Sequence, residues 1–195
     1  MKVKFKVKTF LTSLFFLLIL SILILAIIQL IISLKPVKYV KYKNIIFAFR
    51  DDVKKAENVS VYPNEKMLGQ QFWDYKIQNI TILFKPDDDY NKYYLLAAFE
   101  FTYKLKQMYM TLRPLIIEKS ISAKEIDNFD NITREDGILK IILIPPEKSN
   151  ETIIKVSSNR VYIYWKNPRD LDLAVIKTIL SALKYNSNYT LLKFF

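Results

Sequence analysis

The chain of 195 residues has no histidine and no cysteine, and its only glycines are Gly69 and Gly137. Without imidazole or thiol there can be no Ser-His-Asp triad, no cysteine nucleophile, no ordinary zinc site and no thiol redox pair. Two isolated glycines cannot build a P-loop or a G-x-G-x-x-G phosphate cradle, and a G-x-S-x-G elbow is equally out of reach. Lack of cysteine also means that a domain outside the cell must hold together by its core alone. A folded part of about 160 residues is large enough for that. One more absence is local: no charged residue occurs from Thr9 to Leu34.

That stretch is almost wholly Leu, Ile and Phe. As a helix its roughly 26 residues would be about 39 Å long, more than the ~30 Å hydrocarbon core of a bilayer. A cleaved signal peptide has a shorter apolar region and ends in small residues. Here the exit reads Ile31-Ile32-Ser33-Leu34-Lys35-Pro36, and the single alanine, Ala26, lies between Leu25 and Ile27. The expectation is a retained single-pass transmembrane helix over 9–34, with a basic tail at 1–8, a juxtamembrane linker at 35–43 and a domain at 44–195. Thr12, Ile19, Ala26 and Ser33 recur every seventh position with Gln29 on the same side. Such a face of small and polar residues can seat a partner transmembrane helix or envelope protein. The alternative is that Gln29, near the exit, reaches the head groups.

The formal charge of +11 is concentrated beside this run. Lys2, Lys4, Lys6 and Lys8 precede it, and Lys35, Lys38, Lys41 and Lys43 follow. From Ala56 onward 19 basic residues face 17 acidic ones. Lys35, Lys38, Tyr39, Lys41, Tyr42 and Lys43 therefore read as a membrane-interface segment against the lipid bilayer. A nucleic-acid reading needs its basic patch on the folded domain, so nucleic acid is not expected as a partner.

Lysines are balanced across the run and do not orient it. Glycosylation acceptors do. Asn58, Asn79, Asn131, Asn150 and Asn188 each open an Asn-x-Ser/Thr triplet, about four times the number that composition gives by chance. They place the N-terminus inside and the domain outside the cell membrane. Asn58, Asn131 and Asn150 are expected in loops or at element edges, and Asn79 at the start of a buried strand.

The domain reads as α/β, a mixed sheet with helices packed on it. Strands are expected at Asn44–Phe49, Val59–Tyr62, Ile80–Phe84 and Ile138–Ile144, and as a hairpin over Thr152–Val156 and Val161–Trp165. Short helices are expected at Asp51–Glu57, in Asn64–Lys76 and around Ser122–Phe129. A long one follows Pro86-Asp87-Asp88-Asp89, with Tyr94, Ala98, Phe101, Leu105, Met108 and Leu112 on one face and Pro114 at its end. Glu100 and Lys104 form an i,i+4 pair elsewhere on its surface. The last helix starts at Asn167-Pro168 and carries Asp170, Ala174, Lys177, Ser181 and Lys184 as a narrow polar stripe.

Residual chemistry is thin. Ser181-x-x-Lys184 matches S-x-x-K but lacks that motif's companions. Asp87-Asp88-Asp89 suits the positive end of a helix, with a divalent-cation site as the alternative reading. The acidic stretch Asp127 to Asn131 fails the calcium-loop spacing. No cofactor is expected, and no catalytic or metal site. The reading is a non-enzymatic binding or assembly module anchored at the outer membrane surface. The alternative is an anchored enzyme using carboxylates and a metal.

Overall fold

A computed structural model of the chain describes residues 15, 17–25, 38–42, 45–112, 119–186 and 193–194. The chain divides into two units, Met1–Pro36 and Val37–Phe195. In the first, residues 17–25 are helical (α1), with leucine and isoleucine side chains 46–64% exposed. Among the described residues no helix is long and apolar enough to cross a membrane. Most of the expected span at 9–34 lies outside the described residues, as do the tail at 1–8, Thr12, Ala26, Gln29, Ser33, Lys35, Lys43, Pro114 and Asn188.

The second unit is α/β, as its pattern of apolar runs implies. A six-stranded mixed sheet has the order β3-β7-β8-β6-β4-β5, with β3 at Ser60–Tyr62, β4 at Asn79–Phe84, β5 at Ser120–Glu125, β6 at Ile138–Ile144, β7 at Ile153–Ser157 and β8 at Arg160–Tyr164. The two apolar runs, β4 and β6, pair in parallel at the centre, with Ile82 opposite Ile141. β8 is parallel to β6, and the β7–β8 hairpin adds the one antiparallel step in this sheet. A smaller antiparallel sheet holds β1 (Lys38–Tyr42), β2 (Ile45–Phe49) and β9 (Lys193–Phe194).

Among the described residues this unit has four α-helices, α2 (Val53–Glu57), α3 (Glu65–Trp73), α4 (Asn91–Leu112) and α5 (Pro168–Asn186). Asn167 caps α5 as its sequence implies, its Oδ1 accepting from the Asp170 N–H at 3.1 Å. Between α5 and the sheet lie Leu171, Val175, Ile179 and Leu183, in one core with Ile82, Ile141, Ile163 and Trp165. α3 crosses α5 very closely at Gly69. A β-carbon there would stand 2.4 Å from the Ser181 carbonyl oxygen and 2.6 Å from Tyr185 Cβ. Trp73 locks the same crossing by donating Nε1–H to the Ala182 carbonyl at 2.6 Å.

Three expectations change. Residues 120–125 form the edge strand β5 instead of the front of a helix. The stretch Ser-Ile-Ser-Ala-Lys-Glu is exposed at nearly every position, so it lacks the apolar alternation that marks a strand; pairing along all of β4 holds it extended. Tyr42 is 1% exposed and belongs to the core, so its ring does not face head groups. Lys104 does pair with Glu100, but it is 3% exposed, its ammonium 4.9 Å above the Phe49 ring. Burial first, and then the charge of Arg50, pull that ammonium down to about 8.

Candidate functional site

The two faces of the large sheet are covered differently. Helices bury one. The other carries a small apolar cluster of Leu83, Ile142 and Ile144, on which Ile126, Phe129, Ile132, Tyr162 and Tyr164 pack. Ile126, Phe129 and Ile132 come from the irregular segment between β5 and β6, which folds back over the sheet. Lys140 Nζ donates to the Thr133 carbonyl at 2.8 Å and pairs with Glu135. Arg160 Nη1 donates to the Ile132 carbonyl at 3.1 Å. The Lys140 hydrogen bond and charge hold the Glu135 carboxyl below its ordinary range. At the segment's end Gly137, with φ +76°, turns so that its carbonyl accepts from the backbone N–H of Gln78 and of Asn79 at 2.8 and 3.0 Å. An L side chain at this φ is strained, which accounts for glycine here.

Between this segment and the sheet edge lies a cleft of about 560 Å³. Its floor is Thr81, Leu83, Ser122 and Lys124; its far wall includes Asp127, Asn128 and Asn131. Its lining mixes hydrogen-bond donors, acceptors and apolar side chains, as suits a ligand of mixed polarity.

β5 forms the rim. The Ser120 N–H bonds the Gln78 carbonyl and the Ile126 N–H bonds the Phe84 carbonyl. In a parallel ladder alternate residues turn to the same neighbour. The backbone groups of Ile121, Ala123 and Glu125 therefore point away from β4. Among the described residues no strand pairs with β5 on that side. Natural sheets rarely leave so long an edge bare.

The residues singled out in the sequence scatter. Asp87 accepts from the Asp89 N–H at 2.9 Å in a turn before α4, and all three aspartates are exposed. Among the described residues, no three acidic side chains converge to hold a metal. Asn58 caps the end of α2, Asn79 opens β4, and both are exposed, as are Asn131 and Asn150. In the interface segment Tyr39 and Lys41 are exposed and Lys38 is half-buried. The Ser181–Lys184 pair is brought together with residues that sequence spacing could not connect. Ser181 Oγ lies 3.1 Å from Glu65 Oε1, Lys177 Nζ 2.8 Å from Glu65 Oε2, and Lys184 Nζ 3.1 Å from Glu57 Oε1. Ser181 is 1% exposed and Lys177 is 4% exposed. A hydroxyl so enclosed cannot meet a substrate, and the cluster is a structural ion-pair network tying α2 and α3 to α5.

Two surfaces lie outside the residues that the sequence singles out. One is the β5 edge. The other is the outward side of α4, where Leu95, Phe99, Tyr103 and Met110 are 59–64% exposed. Its signal was present, since these residues recur at steps of four, four and seven, opposite the core-facing set. In comparisons with known proteins, no family model, no curated protein and no solved structure matches this chain.

Proposed function

We propose that the chain is a single-pass, membrane-anchored, non-enzymatic binding module at the outer membrane surface, which captures an extended segment of another protein by strand addition to β5. The observation that carries this reading is the six-residue edge strand with outward backbone groups beside a cleft of mixed polarity. Strand addition draws affinity from main-chain hydrogen bonds and selectivity from pockets for alternate side chains. It needs none of the side-chain chemistry this chain lacks. The charge-free run from Thr9 to Leu34 supports the anchor, and the acceptor triplets support the exterior placement.

A proline at Ala123 tests the binding mode. The Ala123 N–H points away from β4, so Ala123→Pro removes an outward donor and leaves the ladder to β4 intact. A photoreactive residue at Ser122 in the full chain, in native membranes, should crosslink to a discrete partner, and Ala123→Pro should abolish the product. Persistence of the product in the proline variant would exclude strand addition. Orientation is tested separately: protease added to intact cells should digest the domain, and a glycosidase should lower its mass through Asn58, Asn131 or Asn150.

A further inference from the structure

The outward side of α4 breaks the usual pattern of a surface helix, which presents polar residues to water. Along one exposed stripe stand Lys92, Leu95, Phe99, Tyr103, Lys106 and Met110. Phe99 and Tyr103 stack with centroids 6.0 Å apart and planes 8° apart, making a flat aromatic plate. With Thr102, Lys106, Gln107, Met110 and Thr111 they line a shallow, largely apolar hollow. The stripe contains no acid. Glu100, the one carboxylate of α4, is turned aside to Lys104 and Arg50.

Two further observations select the occupant. First, the domain follows closely on the apolar run in the sequence, with Lys38 at the start of β1 four positions after Leu34. Second, the β1–β2 hairpin lies beside α4. Arg50 Nε is 3.7 Å from Glu100 Oε1, and Phe49 sits under the Lys104 ammonium. Glu100 and Lys104 immediately follow Phe99 and Tyr103 in the chain. The hairpin adds its own exposed Tyr39, Lys41 and Ile46. Aromatic and aliphatic side chains with lysines and no carboxylate match the interfacial layer of an anionic bilayer, where an amphipathic helix lies in the membrane plane.

We infer that the outward face of α4 docks on the lipid bilayer, laying the domain on the membrane surface. This inference rests on the anchored reading, and its test separates the two. Because the chain has no cysteine, single cysteines can be placed in the full-length protein at Phe99, Tyr103, Tyr75 and Leu20 and labelled with an environment-sensitive fluorophore. Phe99, Tyr103 and Tyr75 are all strongly exposed, so the substitutions spare the core. The protein is reconstituted in vesicles of phosphatidylcholine and phosphatidylglycerol, one set carrying shallow nitroxide lipids to report on α4 and one set carrying deep nitroxide lipids to report on Leu20, which on the anchored reading lies near the middle of the ~30 Å hydrocarbon core. Labels at Phe99 and Tyr103 should be quenched on the order of twofold more than the label at Tyr75, since an interfacial helix sinks its apolar face a few ångströms below the head groups. Strong quenching at Leu20 with no excess at Phe99 and Tyr103 overturns the docking and leaves the anchor standing. Absence of quenching at Leu20 overturns the anchor. A blue shift at Phe99 that grows with protein density and ignores the nitroxide lipids assigns the face to a second copy of the chain, and so also overturns the docking.

Discussion

α4 and α5 are both long helices against the same sheet, yet their outward sides were treated in opposite ways. α5 turns Lys177, Ser181 and Lys184 outward, and the fold answers each with a carboxylate from α2 or α3. α4 turns Leu95, Phe99, Tyr103 and Met110 outward, and they stand 59–64% exposed. Ordinary burial would have favoured the reverse, with apolar residues under the covering elements and charge in water. Placing a buried ion pair where leucine would serve is often neutral or worse for stability. On the reading proposed above, α5's polar side specifies how α2 and α3 dock, while α4's apolar side serves a contact beyond the domain.

The strongest way to break the comparison is to remove the carboxylate at the centre of the α5 network. Glu65→Ala leaves Lys177 buried without its counter-charge and should destabilise the domain by about 3 kcal/mol, read from urea unfolding. Lys177→Met in the same background should recover most of the loss, because the site would then resemble the apolar side of α4. If Glu65→Ala is silent, the network is not what holds α3 to α5. The same residue gives a pH test. Burial alone would raise the Glu65 carboxyl, but the hydrogen bond and charge of Lys177, with Lys184, outweigh it and hold it below its ordinary 4.5. A depressed carboxylate contributes stability that is complete above the unfolded value and drains away as pH falls through the folded one. Stability should therefore fall more steeply below pH 4.5 in the parent than in Glu65→Gln.

Next in size is Gly69→Ala. The new methyl would press on the Ser181 carbonyl, which is backbone and cannot rotate away. Overpacking of this kind should cost about 2–3 kcal/mol, visible as a lower urea midpoint with an unchanged slope. A smaller effect would mean that α3 slides along α5 freely, and the ion pairs alone would then set their spacing.

What the sequence made legible follows from where its signals come from. β4, β6 and α5 are apolar because they are buried, so periodicity found them, and Asn167-Pro168 marked the start of α5. The strand β5 carries no strand signal because it buries little: its conformation is imposed by β4, and its own residues carry no period-two pattern. Glu65 and Lys177 are 112 positions apart, a pairing that local spacing does not contain. The burial of Tyr42 depends likewise on β1 closing as a hairpin with β2 over the core. The candidate surfaces suffered most. An edge is defined by the strand it lacks, and an exposed stripe by the helix side nothing covers, so both follow from assembly of the whole sheet.

The smallest expected effect sharpens the comparison most. Phe99→Ser removes the centre of the α4 stripe without touching the core. Phe99 loses its stacking on Tyr103, a contact worth about 0.5–1.5 kcal/mol in a typical aromatic pair and less at this exposure. In detergent solution the unfolding midpoint should shift by under about 0.5 kcal/mol, as for most surface positions. Were α4's outward side a structural element like α5's, the cost would approach that of Glu65→Ala. A near-silent Phe99→Ser beside a damaging Glu65→Ala would establish that the two helices spend their outward residues differently: α5 on holding the domain together, α4 on a contact the isolated domain does not make.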